Sequence, residues 1–325
     1  SHFASSRLKS IRSKSLTFAR LPGQVAWEQL AMAQPAEQPT RGFTAAYRNA
    51  AAADSAIIDD NDSGIKLDHR TEFAADPSMP LRERVAARIA RSVQSIERPR
   101  CIDVACAVGT DLGLLVAALG EKPAELHGID LLEKQLEVAR SRLPGAIFAQ
   151  GDVLDLPFPD SHFDSLQASR LLIHVPDFRK AIDEMLRVMK PGALGVLCEA
   201  DIGTCNILLT SDDRLQSVFA AKTKHVAKMC ANDHAASDAY KYLLSHAGAV
   251  DVCMEPFSCI LPDPAMMGLD FIKFEGQMLQ KLVSDGTLAQ ADADYYLAEA
   301  QGQSAKDGNF VQLGCGPLEI SFRKK

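Results

Sequence analysis

The stretch CIDVACAVGTD, residues 101–111, decides how the rest of the chain is read. Cys101 and Ile102 are apolar and lead into Asp103. Small residues follow at Ala105, Cys106 and Ala107, and Gly109 then precedes a helical pattern in DLGLLVAALG. A strand, a compact bend and a helix start, in that order, form the kind of turn that lets a ligand approach backbone amides in an α/β nucleotide fold. Two alanines stand where glycine would leave that backbone most open. Ala105 and Ala107 disfavour positive φ, and only Gly109 keeps full freedom. Taken alone, the stretch is equally compatible with an ordinary strand-to-helix turn.

The pattern on the carboxyl side resolves that ambiguity. ELHGID reads as a strand, LEKQLEVARSRL as a helix, AIFAQGD as a strand and FDSLQAS as another. FRKAIDEMLRVMK reads as a helix stopped by Pro191-Gly192, and ALGVLCEAD as the next strand. Strands alternating with helices of this length predict βαβ units and a doubly wound, mostly parallel α/β sheet. Such sheets bind ligands beyond the carboxyl ends of their strands. The polar residues placed there are Asp103, Asp130, Asp152, Ser169 with Arg170, and Glu199 with Asp201.

Three of these suggest a nucleoside. Asp130 ends the second strand 21 residues beyond Gly109, an offset at which a carboxylate can accept hydrogen bonds from both ribose hydroxyls. It also precedes a helix and is suited to cap it. Asp152 follows the third strand, where it can accept from an exocyclic amino group while Val153 packs on a purine face. A loop Asx turn is the plainer role for Asp152.

IDVACAVG, HGIDLLEKQLEVARSRL, GDVLDLPFPDSHFDSLQASRLLIHVPD and AIDEMLRVMKPGALGVLCEAD, taken together, resemble the class I S-adenosylmethionine-dependent methyltransferases, most of all the branch of ubiquinone- and menaquinone-type enzymes. The resemblance runs from about 81 to 201. It implies a Rossmann-like, seven-stranded sheet with helices on both faces, and S-adenosyl-L-methionine as cofactor. It also implies that Asp103, Ala105 and the turn to Gly109 flank the methionine moiety and that Asp130 takes the ribose. Leu131 and Val153 would pack on the adenine and Asp152 would take its amino group. Ser169 and Arg170 would lie beside the sulfonium and the incoming substrate. Where the family usually has glycine, this chain has Ala105 and Ala107.

Methyl transfer to a nucleophile of high pKa needs a base. His174 in RLLIHVPD follows the fourth strand, and the ordinary pKa of imidazole suits proton removal near neutrality. The alternative is a packed histidine that orders the loop before Pro176. Glu199 and Asp201 could orient a substrate amine or hydroxyl, or be solvated.

At 325 residues the chain has room for one large domain with appendages, or for two domains. Residues 1–75 read as an extension, partly helical around the Ala-rich 44–54, and 76–325 as the main domain. Helical cap insertions are expected at about 203–247 and 264–305. The Met- and Phe-rich stripe at 264–283 reads as core or as the lining of an adaptable pocket. VDVCMEPFSCIL and FVQLGCGPLEISFRK each read as one strand.

Several classes are disfavoured. A net charge of −7 argues against a nucleic-acid surface, which needs clustered Lys and Arg. No apolar run approaches the ~20 residues of a membrane span. The eight cysteines include no CxxC pair, so they read as reduced thiols in a cytoplasmic protein. No metal centre is expected: His225, Asp233 and His234 lack a third ligand at recognisable spacing. The first twenty residues carry five basic side chains, six serines and no acid, the composition of a basic arm or an organelle-targeting segment. The expected activity is therefore methyl transfer to a small-molecule acceptor. The alternatives are an adenosyl-binding protein without turnover on the same scaffold, and a nicotinamide-dependent oxidoreductase. Against the last, the turn is not GxGxxG, and Asp152 with Val153 has no natural role there.

Overall fold

A computed structural model of the chain describes residues 43–53, 55, 57–60, 65–68, 78–202, 206–261, 269–301, 311–315 and 318–325. The basic segment 1–20 lies outside them. The elements run in the order α1 (Phe43–Ala52), β1 (Ile57–Asp60), β2 (Ile65–Asp68), α2 (Met79–Ser92), β3 (Arg100–Val104), α3 (Thr110–Leu119), β4 (Glu125–Asp130), α4 (Glu133–Arg142), β5 (Ile147–Gln150) and β6 (Phe163–Ser169). A single 3-10 turn (Leu172–His174) leads to α5 (Phe178–Val188) and β7 (Met189–Glu199). Then come β8 (Asn206–Leu209), α6 (Asp213–Met229), α7 (Ala235–Ser245), β9 (Ala249–Glu255), β10 (Ser258–Leu261), α8 (Leu269–Ser284), α9 (Gln290–Gln301), β11 (Val311–Cys315) and β12 (Leu318–Lys324).

The main sheet has seven strands in the order β5-β4-β3-β6-β7-β12-β9. β3 pairs in parallel with β4 and β6, β4 with β5, and β6 with β7; β12 runs antiparallel between β7 and β9. The chain moves outward from β3 through β4 to β5, then returns to lay β6 on the other side of β3. That reversal opens a crevice at the carboxyl end of β3, where residues 101–111 make their turn.

Both faces of the sheet are covered, so the inner strands β3, β4 and β6 are buried along most of their length. On one face Ile102, Val104, Ile129, Leu166 and Leu197 pack with Ile182 and Met185 of α5 and Ala239 and Leu243 of α7. On the other, Cys101, Val196 and Cys198 pack with Leu81, Val85 and Ile89 of α2 and Leu112 and Leu115 of α3. The apolar positions of α2 recur every four residues, so they form one stripe. α5 starts where the Asp177 carboxylate accepts from the Lys180 amide at 3.0 Å, a conventional N-cap. Arg84 and Arg88 tie α2 to the strand next to the far edge through the buried Glu319 of β12, at 2.8 and 2.6 Å.

Three boundaries differ from the sequence reading. α5 ends at Val188, not at Lys190, and Pro191-Gly192 lie inside β7, where the register with β6 shifts between Phe163 and Ser165. Gly192 there has φ +81°. The run 250–261 is two strands: β9 joins the main sheet and β10 a separate three-stranded sheet of order β10-β11-β8. Pro256, which has no amide N–H, lies at the break. The terminal run divides likewise, β11 going to the small sheet and β12 to the main one.

The helices expected as a cap also divide. α7 lies against the main sheet, whereas α6, α8 and α9 build a core of their own from Leu215, Phe219, Leu279, Leu282 and Tyr296. Within it the Lys222 ammonium donates to Glu275 at 2.5 Å and to the Tyr296 hydroxyl at 3.2 Å. Leu279 and Leu282, from the stripe at 264–283, belong to this core; residues 264–268 lie outside the described ones. The described cysteines that the structure places (101, 106, 198, 230 and 253) are free thiols. Among the described residues, no helix is long and apolar enough to cross a membrane.

Candidate functional site

The turn after β3 adopts the glycine-like conformation its sequence disfavours. Ala105 has φ +60° and Ala107 φ +48°, both left-handed, and Gly109 has φ +82°. Three backbone bonds hold the bend: Cys106 N–H to the Ile129 carbonyl (3.0 Å), Ala107 N–H to Asp130 Oδ2 (2.9 Å) and Gly109 N–H to the Cys106 carbonyl (2.8 Å). A Cβ on Gly109 would lie 3.3 Å from Ala139 Cβ, so α4 packs close beneath. Left-handed alanine costs roughly 1–2 kcal/mol, and glycine gives back roughly 0.4–1 kcal/mol of that through its looser unfolded chain. Ala105→Gly and Ala107→Gly should therefore each stabilise the protein by about 0.5–1 kcal/mol, read as a higher midpoint in urea unfolding. A lower midpoint in both would mean that these alanines do not hold positive φ in solution.

Buried acids ring this turn. Asp103 at the end of β3 is 1% exposed, and its Oδ2 has no hydrogen-bond partner. Burial holds its carboxyl well above the usual range, helped by the neighbouring charge of Asp111 and opposed by the nearby side-chain amide of Gln167 and the charge of Arg82. Arg82 reaches over from α2 to pair with Asp111 at 2.6 Å. Asp130 ends β4, with Oδ2 on the Ala107 amide and Oδ1 on the Leu132 amide, both at 2.9 Å. It thus holds the turn and the Leu132 amide together, but it does not cap α4, whose N-cap is Leu132 with no side-chain cap. Burial raises its pKa to about 6 against the pull of those amides.

Glu199 ends β7 and is wholly buried. Its Oε1 accepts from the Leu171 and Leu172 amides at 2.8 and 2.9 Å, which fixes the 3-10 turn carrying His174. Its Oε2 has no hydrogen-bond partner, and burial raises its pKa to about 7. Asp201, paired with Glu199 in the sequence reading, has a different task. It accepts from the Ser237 amide at 3.0 Å and from the Ser237 hydroxyl, and so caps α7.

The remaining expected residues fall along the same edge. Ser169 ends β6 and is half-buried; Arg170 follows it, exposed, with φ +54° and its amide on the Cys198 carbonyl at 2.8 Å. Arg170 lies close enough to Glu199 for its charge to lower that carboxyl. His174 is half-buried at the end of the 3-10 turn. Leu131 is half-buried and Val153 is buried in the main core. His225, Asp233 and His234 form no three-ligand group in the structure.

Sequence reasoning missed the partner of Asp152. Arg48 of α1 places a guanidinium nitrogen 3.0 Å from Asp152 Oδ2, while Asp152 Oδ1 accepts from the Leu154 amide at 3.0 Å. On the same helix Ala50 is buried against Leu132, the residue after Leu131. The extension therefore lies across the β4–β5 end of the edge. An Ala-rich helix was legible at 44–54, but nothing local ties Arg48 to an acid 104 residues away.

Residues 102–197, which contain the turn, the acids to Asp152 and the 3-10 turn, match a family model described as a methyltransferase domain. The chain is 40% identical over 112 residues to a demethylmenaquinone methyltransferase of Clavibacter sepedonicus, which is 34% of this chain and 44% of that protein. It is 36% identical over 106 residues to a 2-phytyl-1,4-naphtoquinone methyltransferase of Synechococcus elongatus, 31% of this chain and 45% of that protein. The chain thus spans less than half the length of these curated relatives. Among solved structures, the YcgJ protein of Bacillus subtilis is 16% identical, with TM-score 0.47, over 74% of this chain and 98% of that one.

Proposed function

We propose that this chain, whose residues 102–197 match a methyltransferase-domain family model, transfers a methyl group from S-adenosylmethionine to a small-molecule acceptor. The observation that carries the reading is the line of acids along the carboxyl edge of β3, β4 and β5, met by a tight turn whose backbone is bound to one of them. Buried acids with oxygens that lack partners suit a ligand that brings hydroxyls and positive charge. Asp103 Oδ2 and Glu199 Oε2 are such oxygens. When bound, S-adenosylmethionine supplies a methyl group activated by its sulfonium.

The residues divide the work. Asp130 would hold the ribose hydroxyls, and the turn from Ala105 to Gly109 would border the methionine moiety. Val153 and Leu131 would flank the adenine, and Asp152 would accept from its amino group. Ser169 and Arg170 would border the transfer side. Alignment and exclusion of water supply most of the rate, because the leaving group is already good. His174, held on its turn by Glu199, removes the acceptor proton. The quinone-type names of the relatives point to an aromatic acceptor with a phenolic or ring-carbon nucleophile.

One observation favours a second reading, an adenosyl-binding protein without turnover: Arg48 already occupies Asp152. Release of S-adenosylhomocysteine in a screen of quinol and phenol acceptors supports transfer. Calorimetric binding of S-adenosylmethionine with no turnover on any acceptor supports the second reading, and no binding at all overturns both.

Binding should depend on pH with a definite sign. Asp130 is raised to about 6, so below that value it is mostly neutral and accepts weakly from hydroxyls. A ligand that favours the ionised carboxyl binds more tightly as pH rises through that value. Affinity for S-adenosylmethionine should increase by up to about fourfold between roughly pH 5.5 and 7.5, the ratio of ionised Asp130 at those two values. Calorimetry at the two pH values checks this; a flat or falling profile contradicts the ribose role.

A further inference from the structure

The opposite end of the sheet carries a cluster that the activity does not use. β4 begins with Glu125 and places His127 two residues later on the same side; His162 immediately precedes β6. One donor atom from each of these three residues lies within 4.8 Å of the other two. Phe158 and Phe163 wall the group: the His127 ring meets Phe163 edge-on at 5.1 Å, and the His162 ring meets it at 4.8 Å. His127 is 5% exposed, its Nε2 lies 2.9 Å from Glu125 Oε1, and its Nδ1 is buried with no hydrogen-bond partner.

We propose that Glu125, His127 and His162 form a three-ligand site for a divalent transition ion of the zinc class. Two imidazoles and one carboxylate are a donor set that zinc accepts, with water in the fourth position. Magnesium and calcium prefer all-oxygen shells and are disfavoured here. Tetrahedral zinc with bonds of roughly 2.0–2.1 Å needs its ligand atoms about 3.4 Å apart, so no pair has to close by more than about 1.4 Å, and His127 Nε2 and Glu125 Oε1, at 2.9 Å, open slightly. Glu125 and His162 are the less buried members and make that movement by side-chain rotation. Burial lowers the pKa of both histidines, which keeps their nitrogen lone pairs available at neutral pH. Arg100 is the competing cation: its Nε lies 3.4 Å from Glu125 Oε1, but its side chain is 42% exposed and can swing into water.

The site would staple the start of β4 to the start of β6 across β3, which lies between them. Asp130 sits at the other end of β4, so the ion would be structural and not a participant in transfer. The spacing explains why the sequence hid it. The two-residue step from Glu125 to His127 needs a strand, and His162 arrives only through the pairing of β3 with β4 and β6.

The test is cobalt titration of the chelator-treated full-length protein, followed by zinc competition. The expected result is one equivalent of visible absorption of tetrahedral cobalt, displaced by zinc. Zinc should also raise the melting temperature, because it binds the native state. His162→Ala and Glu125→Gln should each weaken cobalt binding by at least about tenfold, and zinc should no longer raise their melting temperatures. These two positions carry the test because His127→Ala opens the core. Two results would overturn the proposal: no cobalt spectrum in the parent protein, or His162→Ala binding as tightly as the parent, which would place the ion on other histidines of the chain.

Discussion

Asp130→Ala should weaken S-adenosylmethionine binding by about 10- to 100-fold, the scale of ~1.5–3 kcal/mol for hydrogen bonds to a charged group. The expected loss follows from how much converges on this carboxylate. It ends β4 at the switch in strand order, and its two oxygens already accept from Ala107 and Leu132. The same side chain thus shapes the turn and, on the proposed function, holds the ribose. Alanine also leaves two amides without their acceptor, so stability should fall by about 1–3 kcal/mol. Urea unfolding measures that second loss separately from calorimetric affinity. Asp130→Asn keeps one carbonyl oxygen and should retain more of the fold than of the affinity. Full affinity in Asp130→Ala would remove the ribose from this residue.

Glu199 should show the largest effect on stability. Its Oε1 is the acceptor for two amides of the 3-10 turn, and the group is wholly buried. Glu199→Ala should cost about 3 kcal/mol or more from those amides and the space left behind. It should also lower turnover, because His174 rides on that turn. Glu199→Gln keeps an oxygen for the amides and removes the ionisation.

The pH dependence of stability follows from the direction of the shift. Glu199 is raised to about 7, above its value in the unfolded chain. Between about 4.5 and 7 the folded state therefore holds a proton that the unfolded state has lost, and stability falls as pH rises through that window. Below it both states are protonated and nothing is lost. The fall is on the order of 3 kcal/mol for this one group, and Asp130 adds to it in the same direction up to about pH 6. Glu199→Gln should flatten the part due to Glu199. Urea midpoints at pH 5 and pH 8 for both proteins check this; an equal fall in the variant would assign the effect elsewhere.

The legible parts of this fold are those with local causes. β3 through β6 are apolar runs closed by turn residues, and the acids at their carboxyl ends follow from strand direction alone. Asp103, Asp130 and Asp152 were readable for that reason. The small sheet of β8, β11 and β10 was not, because it joins segments about fifty to a hundred residues apart. Pro191-Gly192 misled because that pair usually stops a helix, whereas here α5 had already ended at Val188. Arg48 on Asp152 and His162 beside His127 are long-range pairings with no periodicity to betray them. Ala105 and Ala107 show the converse: residue type argued against positive φ, and the hydrogen bonds from Cys106, Ala107 and Gly109 imposed the bend regardless.

A crystal structure of the protein soaked with S-adenosylhomocysteine is the measurement that most directly tests whether the carboxyl edge is an adenosyl site. The ribose hydroxyls should lie within hydrogen-bond distance of Asp130, with the adenine beside Val153 and the sulfur toward Ser169 and Arg170. Density showing the crevice beyond β3 empty at saturating ligand, or the nucleoside bound elsewhere while Arg48 and α1 still cover Asp152, would contradict the account.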